Sequence, residues 1–339
     1  MSDIIQRTPL HEEHIRLGAK MVDFFGWEMP VQYTGILPEH QATRTACGLF
    51  DVSHMGQLWV RGEGAYDFLQ SMGTHTLVRL REGKWAYTPL CYPNGGTVDD
   101  IIIYPRDGAY FVCVNASNVD KDFAWLAEHA PAGVTVENVS EQYAQIAVQG
   151  PEFRAVLDRV TLPDSCFSAP TGYTGERGVE LYLAPQDAPA VWRALVEAGG
   201  VPVGLGARDT LRMEAGLPLY GHELEADISP WEAGLHRFIC FDKGDFMGRE
   251  ALLAQKNNPE SRELIGLKPM GRAIPRNGYE VCRGGEVVGH VTSGGVLPTA
   301  GGNGAMALVK PGEGELTLRV RGKDEPCELA PLPFYRRTK

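Results

Sequence analysis

Three segments of this 339-residue chain carry polar side chains where folding alone gives little reason for them. The first is Asp99-Asp100, just beyond the turn Pro93-Asn94-Gly95-Gly96 and inside the apolar run Thr97 to Tyr104. Adjacent side chains of a strand point to opposite faces, so one carboxylate is directed at the covered face of a sheet and the other away from it. A carboxylate facing a core must be hydrogen-bonded or paired, or else keep its proton. The competing reading puts both at an open strand edge, stabilising the turn, since Asp is common beside Gly turns. The second segment is Thr171-Gly172-Tyr173-Thr174-Gly175-Glu176-Arg177-Gly178-Val179-Glu180. Its glycines allow close backbone approach to a ligand, Tyr173 offers an aromatic face with a polar tip, and Glu180 stands between apolar Val179 and Leu181. A carboxylate facing an amidine-like edge makes paired, charge-assisted hydrogen bonds, the chemistry that a pterin ring invites. A surface hairpin with a solvated Glu180 is the alternative. The third is Gly204 to Gly216, a helix bounded by glycines, in which Arg208 and Arg212 are four residues apart and repel unless an acid lies between them. Asp209 or Glu214 could answer that charge internally, or a substrate oxygen or carboxylate could do so.

The elements that must position these residues read as many short segments punctuated by 40 glycines and 23 prolines, which favours an α+β protein with antiparallel strands over a doubly wound parallel sheet. Tyr87 to Val114 reads as a three-strand meander, reversed at Pro93 to Gly96 and at Arg106-Asp107-Gly108. A helix follows, with Ser117 and Asp120 as a capping box ahead of Phe123, Ala124, Leu126 and Ala127. The strand Gln145 to Val148 then runs through Gly150 into Pro151, placed as the first residue of a helix towards Val160. Gly178 to Leu183 reads as a strand and Ala188 to Ala198 as a helix. The helix Arg249 to Gln255 ends at the polar break Asn257 to Ser261. Beyond it, short strands divided by Gly-rich turns suit a small β-barrel, whose closure protects strand edges. The expected division is therefore a body over 1–258, with an internal break near 150–170, and a barrel domain over 259–339.

Composition removes several classes. A net charge of -11 is unsuited to an extended phosphate-binding surface, so nucleic acid is not an expected partner. Seven dispersed cysteines, without a C-x-x-C pair, read as reduced intracellular thiols used as small hydrophobes. Met1 to Arg7 lacks the features of a secretory or organellar signal, and no run reaches the ~18 apolar residues of a membrane span, which predicts a cytoplasmic protein. The nine His show no H-x-x-x-H spacing, so no metal is expected. Gly204-Leu205-Gly206 has Asp209 where a dinucleotide fingerprint needs a third small residue, and no P-loop, G-x-S-x-G or pyridoxal phosphate lysine motif is found, so no nucleotide or PLP is expected.

Arg7-Thr8-Pro9-Leu10, Gly18 to Phe24, Gly26-Trp27-Glu28-Met29-Pro30, Gly48 to Gly56, Gly95 to Asp100, Thr171 to Glu180, Gly204 to Gly216 and Leu219-Tyr220-Gly221 together resemble the T-protein family of the glycine cleavage system. The likeness runs over nearly the whole chain. It implies an aminomethyltransferase that passes the carbon held on the lipoyl arm of a lipoylated H-protein, a transient partner, to tetrahydrofolate. The implied products are 5,10-methylenetetrahydrofolate, ammonia and dihydrolipoyl H-protein. It also implies a folate-binding α+β body of antiparallel sheets and packed helices around a central channel, followed by a C-terminal β-barrel. Carried over residue by residue, it makes Asp99 catalytic, sets Glu180 and Arg208 on the folate, and makes Met55, Tyr87, Asn115 and Tyr173 neighbours of the folate pocket. Tetrahydrofolate enters as a co-substrate.

The chain departs from the family at Leu297-Pro298-Thr299-Ala300 and at the tail Phe334-Tyr335-Arg336-Arg337, so no C-terminal residue is assigned to the site. One alternative is a related folate-binding protein of iron-sulfur cluster assembly, but its Lys-Gly-Cys-Tyr string stands here as Lys243-Gly244-Asp245-Phe246. A folate-dependent demethylase module lacks its usual flavin-binding partner region here. A non-catalytic folate or lipoyl-protein binding module is the remaining alternative, against which stand intact Asp99, Glu180 and Arg208.

Overall fold

Alternating apolar residues and frequent Gly reversals give short strands, which the computed structural model, describing residues 5–338, pairs mostly antiparallel. The stretch read for a targeting signal begins outside the described residues. In chain order the elements are α1 (His11–Arg16), β1 (Lys20–Phe24), β2 (Trp27–Gln32), α2 (Ile36–Thr45), β3 (Gly48–Asp51), β4 (Gly56–Arg61) and α3 (Ala65–Met72). Then come β5 (Ala86–Cys91), β6 (Thr97–Arg106), β7 (Ala109–Val114), α4 (Val119–His129), β8 (Thr135–Asn138), β9 (Ala144–Gln149) and α5 (Phe153–Leu157). β10 (Phe167–Ala169), β11 (Gly178–Leu183), α6 (Ala188–Glu197), β12 (Val201–Pro202), α7 (Leu205–Glu214) and α8 (Arg249–Lys256) follow. The remaining strands are β13 (Glu263–Pro269), β14 (Glu280–Arg283), β15 (Glu286–Val296), β16 (Asn303–Val309), β17 (Leu316–Val320) and β18 (Lys323–Ala330).

These elements form two compact units, each built from separated stretches: residues up to Gln57 with Val139–Ala215 and the tail from Arg336, and Leu58–Asn138 with Gly216–Tyr335. The first unit holds a sheet of order β10-β11-β9-β3-β12. Its central strand β9 is buried at every position, so apolar residues are needed on both faces. Leu49, Ile146, Val148 and Leu181 face Val191, Trp192 and Leu195 of α6, while Phe50, Val52 and Ala147 face Ala207 and Leu211 of α7. Fully burying a side chain of this size contributes roughly 1.5–3 kcal/mol, which fixes the register of the strands that carry the site.

In the second unit the expected meander β5-β6-β7 continues into β4 and β8. Leu90, Val98, Ile101, Ile103, Val112 and Val114 pack with Phe68, Leu69 and Met72 of α3 and with Leu126 of α4. The strands β13-β16-β15-β14-β17-β18 close into a barrel around Leu267, Val281, Val291, Ala307 and Leu318, so no edge is left to pair with another chain.

Two expectations about helix starts are corrected. The capping box at Ser117 is not formed: a short 3₁₀ turn at Ala116–Asn118 precedes α4, whose first turn begins at Asn118 without a side-chain cap. The helix after Gly150 is also shorter than expected. Pro151-Glu152 remains a turn because Gly150 is held at φ 130° with its N–H on Arg177 O, and Glu152 N–H binds Ala46 O, so α5 starts only at Phe153 and ends at Leu157.

Candidate active site

Asp99 lies in β6, which sits between β5 and β7, so the open-edge reading of the Asp pair fails. Tight packing fixes the start of this strand. A Cβ on Gly96 would stand 1.8 Å from the carbonyl oxygen of Ala226, so only glycine fits there. Thr97 next to it gives its N–H to Glu225 O and Ile228 O and its hydroxyl to Ile228 O. The β5–β6 register slips between Leu90, opposite Asp99, and Cys91, opposite Thr97. Such an irregularity re-aims side chains, and Thr97, Val98 and Asp99 are all buried in succession instead of alternating.

The Asp99 side chain is 0% exposed, and a buried carboxylate is tolerated only where donors surround it. Asn115 N–H reaches Oδ2 at 3.0 Å, while the side-chain amides of Asn115 and Asn118 each reach Oδ1 at 2.8 Å. Asp100 is partly buried. Its Oδ1 accepts from Asn115 Nδ2 at 2.9 Å, and the Tyr87 hydroxyl lies near it. Burial first, and the neighbouring Asp99 second, push the Asp100 carboxyl well above the usual carboxylate range. Tyr87, whose ring meets Phe238 edge-on at 4.6 Å, also lines a cavity of about 430 Å³ with His75, Arg79, Arg81, Lys84 and Trp85. Asp99, Asp100, Tyr87 and Asn115 are thus brought together within one unit.

The remaining predicted residues belong to the other unit. Glu180 is buried, not a solvated hairpin residue: Thr171 Oγ1 donates to it at 2.6 Å and Gln145 Nε2 at 3.1 Å, with Gln57 behind Gln145 at 3.0 Å. The Arg208 guanidinium lies 4.7 Å from the centre of the Tyr173 ring, a cation–π contact that orients both groups. Arg212 is answered internally, bonding Asp209 at 2.8 Å. Met55 packs with Phe50, Ala147, Ala207 and Leu211, on the face of the sheet that α7 covers.

The glycines of these segments serve the protein's own packing. A Cβ at Gly172 would overlap the Gln149 side chain, one at Gly175 would stand 2.8 Å from Ala215, and one at Gly204 would meet Val31 backbone at 2.4 Å. The Gly-x-Gly that imitates a dinucleotide fingerprint therefore lets α7 approach β2. Glu39, fully buried, locks that approach by accepting the N–H groups of Tyr33, Thr34, Gly35 and Gly204. Arg44 latches the Tyr173 loop, bonding Thr174 O at 2.6 Å, Glu176 at 2.9 Å and Glu214 at 3.2 Å.

Sequence reasoning missed Asn118 and Asp122. Their signal is the spacing Asn115, Asn118, Asp122: steps of three and four set successive polar groups on one side of a helix start, facing β6. Among the described residues no group of three His, Cys, Asp or Glu is arranged to hold a metal, and no helix is long and apolar enough to cross a membrane.

The structure is an α+β body with antiparallel sheets and a closed C-terminal barrel, with a desolvated carboxylate held by amide donors. The GCVT N-terminal domain family matches residues 10–243, and the glycine cleavage T-protein C-terminal barrel domain matches residues 262–336. An aminomethyltransferase of Moorella thermoacetica is 48% identical, the match covering 100% of both chains. One of Bacillus subtilis is 43% identical over 98% of this chain and 100% of its own. The crystal structure of the glycine cleavage system aminomethyltransferase T from Bartonella henselae matches with a TM-score of 0.93 and 34% identity, over 99% of this chain and 100% of that one. The chain belongs to the glycine cleavage T-protein family. Its activity is that of an aminomethyltransferase, and the iron-sulfur assembly and non-catalytic alternatives have no support.

Proposed function

We propose that this enzyme takes the aminomethyl group carried on the lipoyl arm of an H-protein and passes its carbon to tetrahydrofolate in the cytoplasm. 5,10-Methylenetetrahydrofolate, ammonia and dihydrolipoyl H-protein are the products. In this reading Asp99 is the catalytic residue, Glu180 and Arg208 bind the folate, and Met55, Tyr87, Asn115 and Tyr173 complete its contacts. Residues 1–258 form the catalytic body and 259–339 the barrel domain. The observation that supports the reading most is the complete burial of Asp99 among amide donors on a central strand.

The chemistry follows from what such a carboxylate can do. Folate N5 attacks the carbon bound to sulfur and nitrogen, the C–N bond breaks to release ammonia, and N10 then closes the methylene bridge as the C–S bond breaks; the N5 and N10 protons end on ammonia and on the dihydrolipoyl thiol. Asp99 orients the reduced pterin and favours its nucleophilic form, and departing ammonia leaves with proton assistance. Most of the acceleration is positional, since holding N5 against the incoming carbon turns a bimolecular encounter into an effectively intramolecular one. Glu180 suits a flat heterocycle with an amidine-like edge, and the Tyr173–Arg208 pair suits its aromatic face.

The test is a coupled assay with aminomethylated H-protein and tetrahydrofolate that follows methylenetetrahydrofolate and ammonia together. Asp99→Asn keeps the shape of the side chain and removes its charge, and turnover should fall by about 10²–10⁴-fold with folate affinity nearly unchanged. Wild-type turnover by that variant, with unaltered folate binding, eliminates the assignment of Asp99.

A further inference from the structure

Asp99 is not the only buried carboxyl in its surroundings. Asp122, in the first turn of α4 and four residues beyond Asn118, is also 0% exposed, and its carboxyl stands against that of Asp99. Two carboxylates in contact without water cannot both hold a charge, so a proton must lie between them. Which side keeps it follows from the partners. Asp99 already accepts hydrogen bonds from Asn115 N–H, Asn115 Nδ2 and Asn118 Nδ2, all of which favour a charged oxygen. Asp122 has Lys121 Nζ at 2.9 Å from Oδ1, while Oδ2 meets no donor, as suits an oxygen that carries the hydrogen itself.

We propose that Asp122 is a positioning residue for Asp99, a neutral carboxylic acid that donates its proton in a hydrogen bond to the catalytic carboxylate. The inference rests on the catalytic reading of Asp99. Burial, then the charge and hydrogen bond of Asp99, push the Asp122 carboxyl far above its usual range, and Lys121 draws it back only in part. The titratable groups around the pair are Asp100 on β6, Lys121 on α4, Tyr87 on β5, and Tyr220, which has Tyr92 and Glu225 near it. Lys121 also lies 4.8 Å from the Tyr220 ring centre and donates to Val98 O, so its ammonium is held beside Asp122 instead of replacing its proton.

Asp122→Asn and Asp122→Leu separate this role from a structural one. The Asn amide still donates to Asp99 but cannot lose its proton. Turnover at neutral pH should stay within about threefold of wild type, and the alkaline decline of the rate profile should move up or vanish. Leu removes the donor: turnover should fall about 10- to 100-fold, with KM for tetrahydrofolate little changed. The infrared spectrum of wild type minus Asp122→Asn, at neutral pH, should contain the carbonyl band of a protonated carboxylic acid. Absence of that band, or equal loss of turnover in both variants with an unmoved alkaline limb, overturns the inference. Asp99→Asn in the same assay keeps the two readings apart. Wild-type turnover there defeats the catalytic assignment itself, whereas an inactive Asp99→Asn beside Asp122 variants with an unmoved alkaline limb defeats only the proton-bearing partner.

Discussion

The side-chain amide of Asn118 lies 2.8 Å from Oδ1 of Asp99, although Asn118 is also the residue at which α4 begins. An Asn in that place ordinarily turns its side chain back onto the first N–H groups of the helix. Here the helix start gives up its cap and the amide goes to the carboxylate instead. Local helix stability is exchanged for the position of a functional group, a conflict of the kind found where sites are built.

Asn118→Ala should therefore act on both the fold and the reaction. Loss of a donor to a buried carboxylate lowers stability by about 1–3 kcal/mol and reduces turnover, with little change in folate affinity. Urea denaturation beside steady-state kinetics reads the two effects. Unchanged turnover would mean that Asn115 alone holds Asp99.

The proposed folate contacts predict a different signature. Glu180→Gln should raise the dissociation constant for tetrahydrofolate roughly tenfold while leaving the fold intact, because one charge-assisted hydrogen bond is replaced by a neutral one. Arg208→Lys should weaken binding about two- to fivefold, since an ammonium lacks the flat face that stacks on Tyr173. Calorimetric titration of folate into each variant supplies the measurement, and wild-type affinity in Glu180→Gln removes Glu180 from the site.

Acid should destabilise the protein in a defined window. His54 is buried, edge-on to Phe24, with no partner on Nδ1. Burial depresses it to about 4, Arg208 adds to that, and Asp51 opposes it. The unfolded chain then binds a proton that the folded chain refuses, so stability is full above the ordinary His value of 6.5 and is lost as pH falls towards 4, by about 3 kcal/mol in all. Below that range Asp51 takes over: burial raises its carboxyl, but His14, Thr8 and Ser53 hold it down to about 2. Its contribution is present above the usual carboxylate value and is lost as pH falls towards 2. His54→Phe should flatten the first slope in denaturation curves recorded near pH 7 and near pH 5, and an unaltered slope assigns the acid sensitivity elsewhere.

Two glycines of the β6 hairpins allow a contrast between packing and backbone conformation. A Cβ at Gly96 would strike the Ala226 carbonyl oxygen, so Gly96→Ala should destabilise by about 3 kcal/mol and displace Asp99. Gly108, at φ 73°, has open space around it, and Gly108→Ala should cost only about 1 kcal/mol and leave turnover alone. Thermal unfolding and turnover of the two variants decide it, and equal effects would show that the close approach at Gly96 can relax.

Much of this protein was settled by local sequence. The three-strand meander, the strand Gly178–Leu183, the helices near residues 188 and 249 and the barrel after residue 262 follow from period-2 alternation, capping and Gly turns, which act over a few residues. The chemical content of Asp99, Glu180 and Arg208 was also legible, since charged groups inside apolar or glycine-bounded segments announce a cost that something must meet. Tertiary packing alone decided the rest. Whether Asp99 faced a core or an edge depended on the order β5-β6-β7, and Arg212 was neutralised by Asp209 while Arg208 went to Tyr173. The glycines at 172, 175 and 204 answer to Gln149, Ala215 and Val31, residues 23 to 173 positions away that no local pattern identifies. The proton on Asp122 has the same origin: a carboxylic acid keeps its hydrogen when the folded chain brings a second carboxylate against it and shuts out water, and neither condition exists in the unfolded sequence.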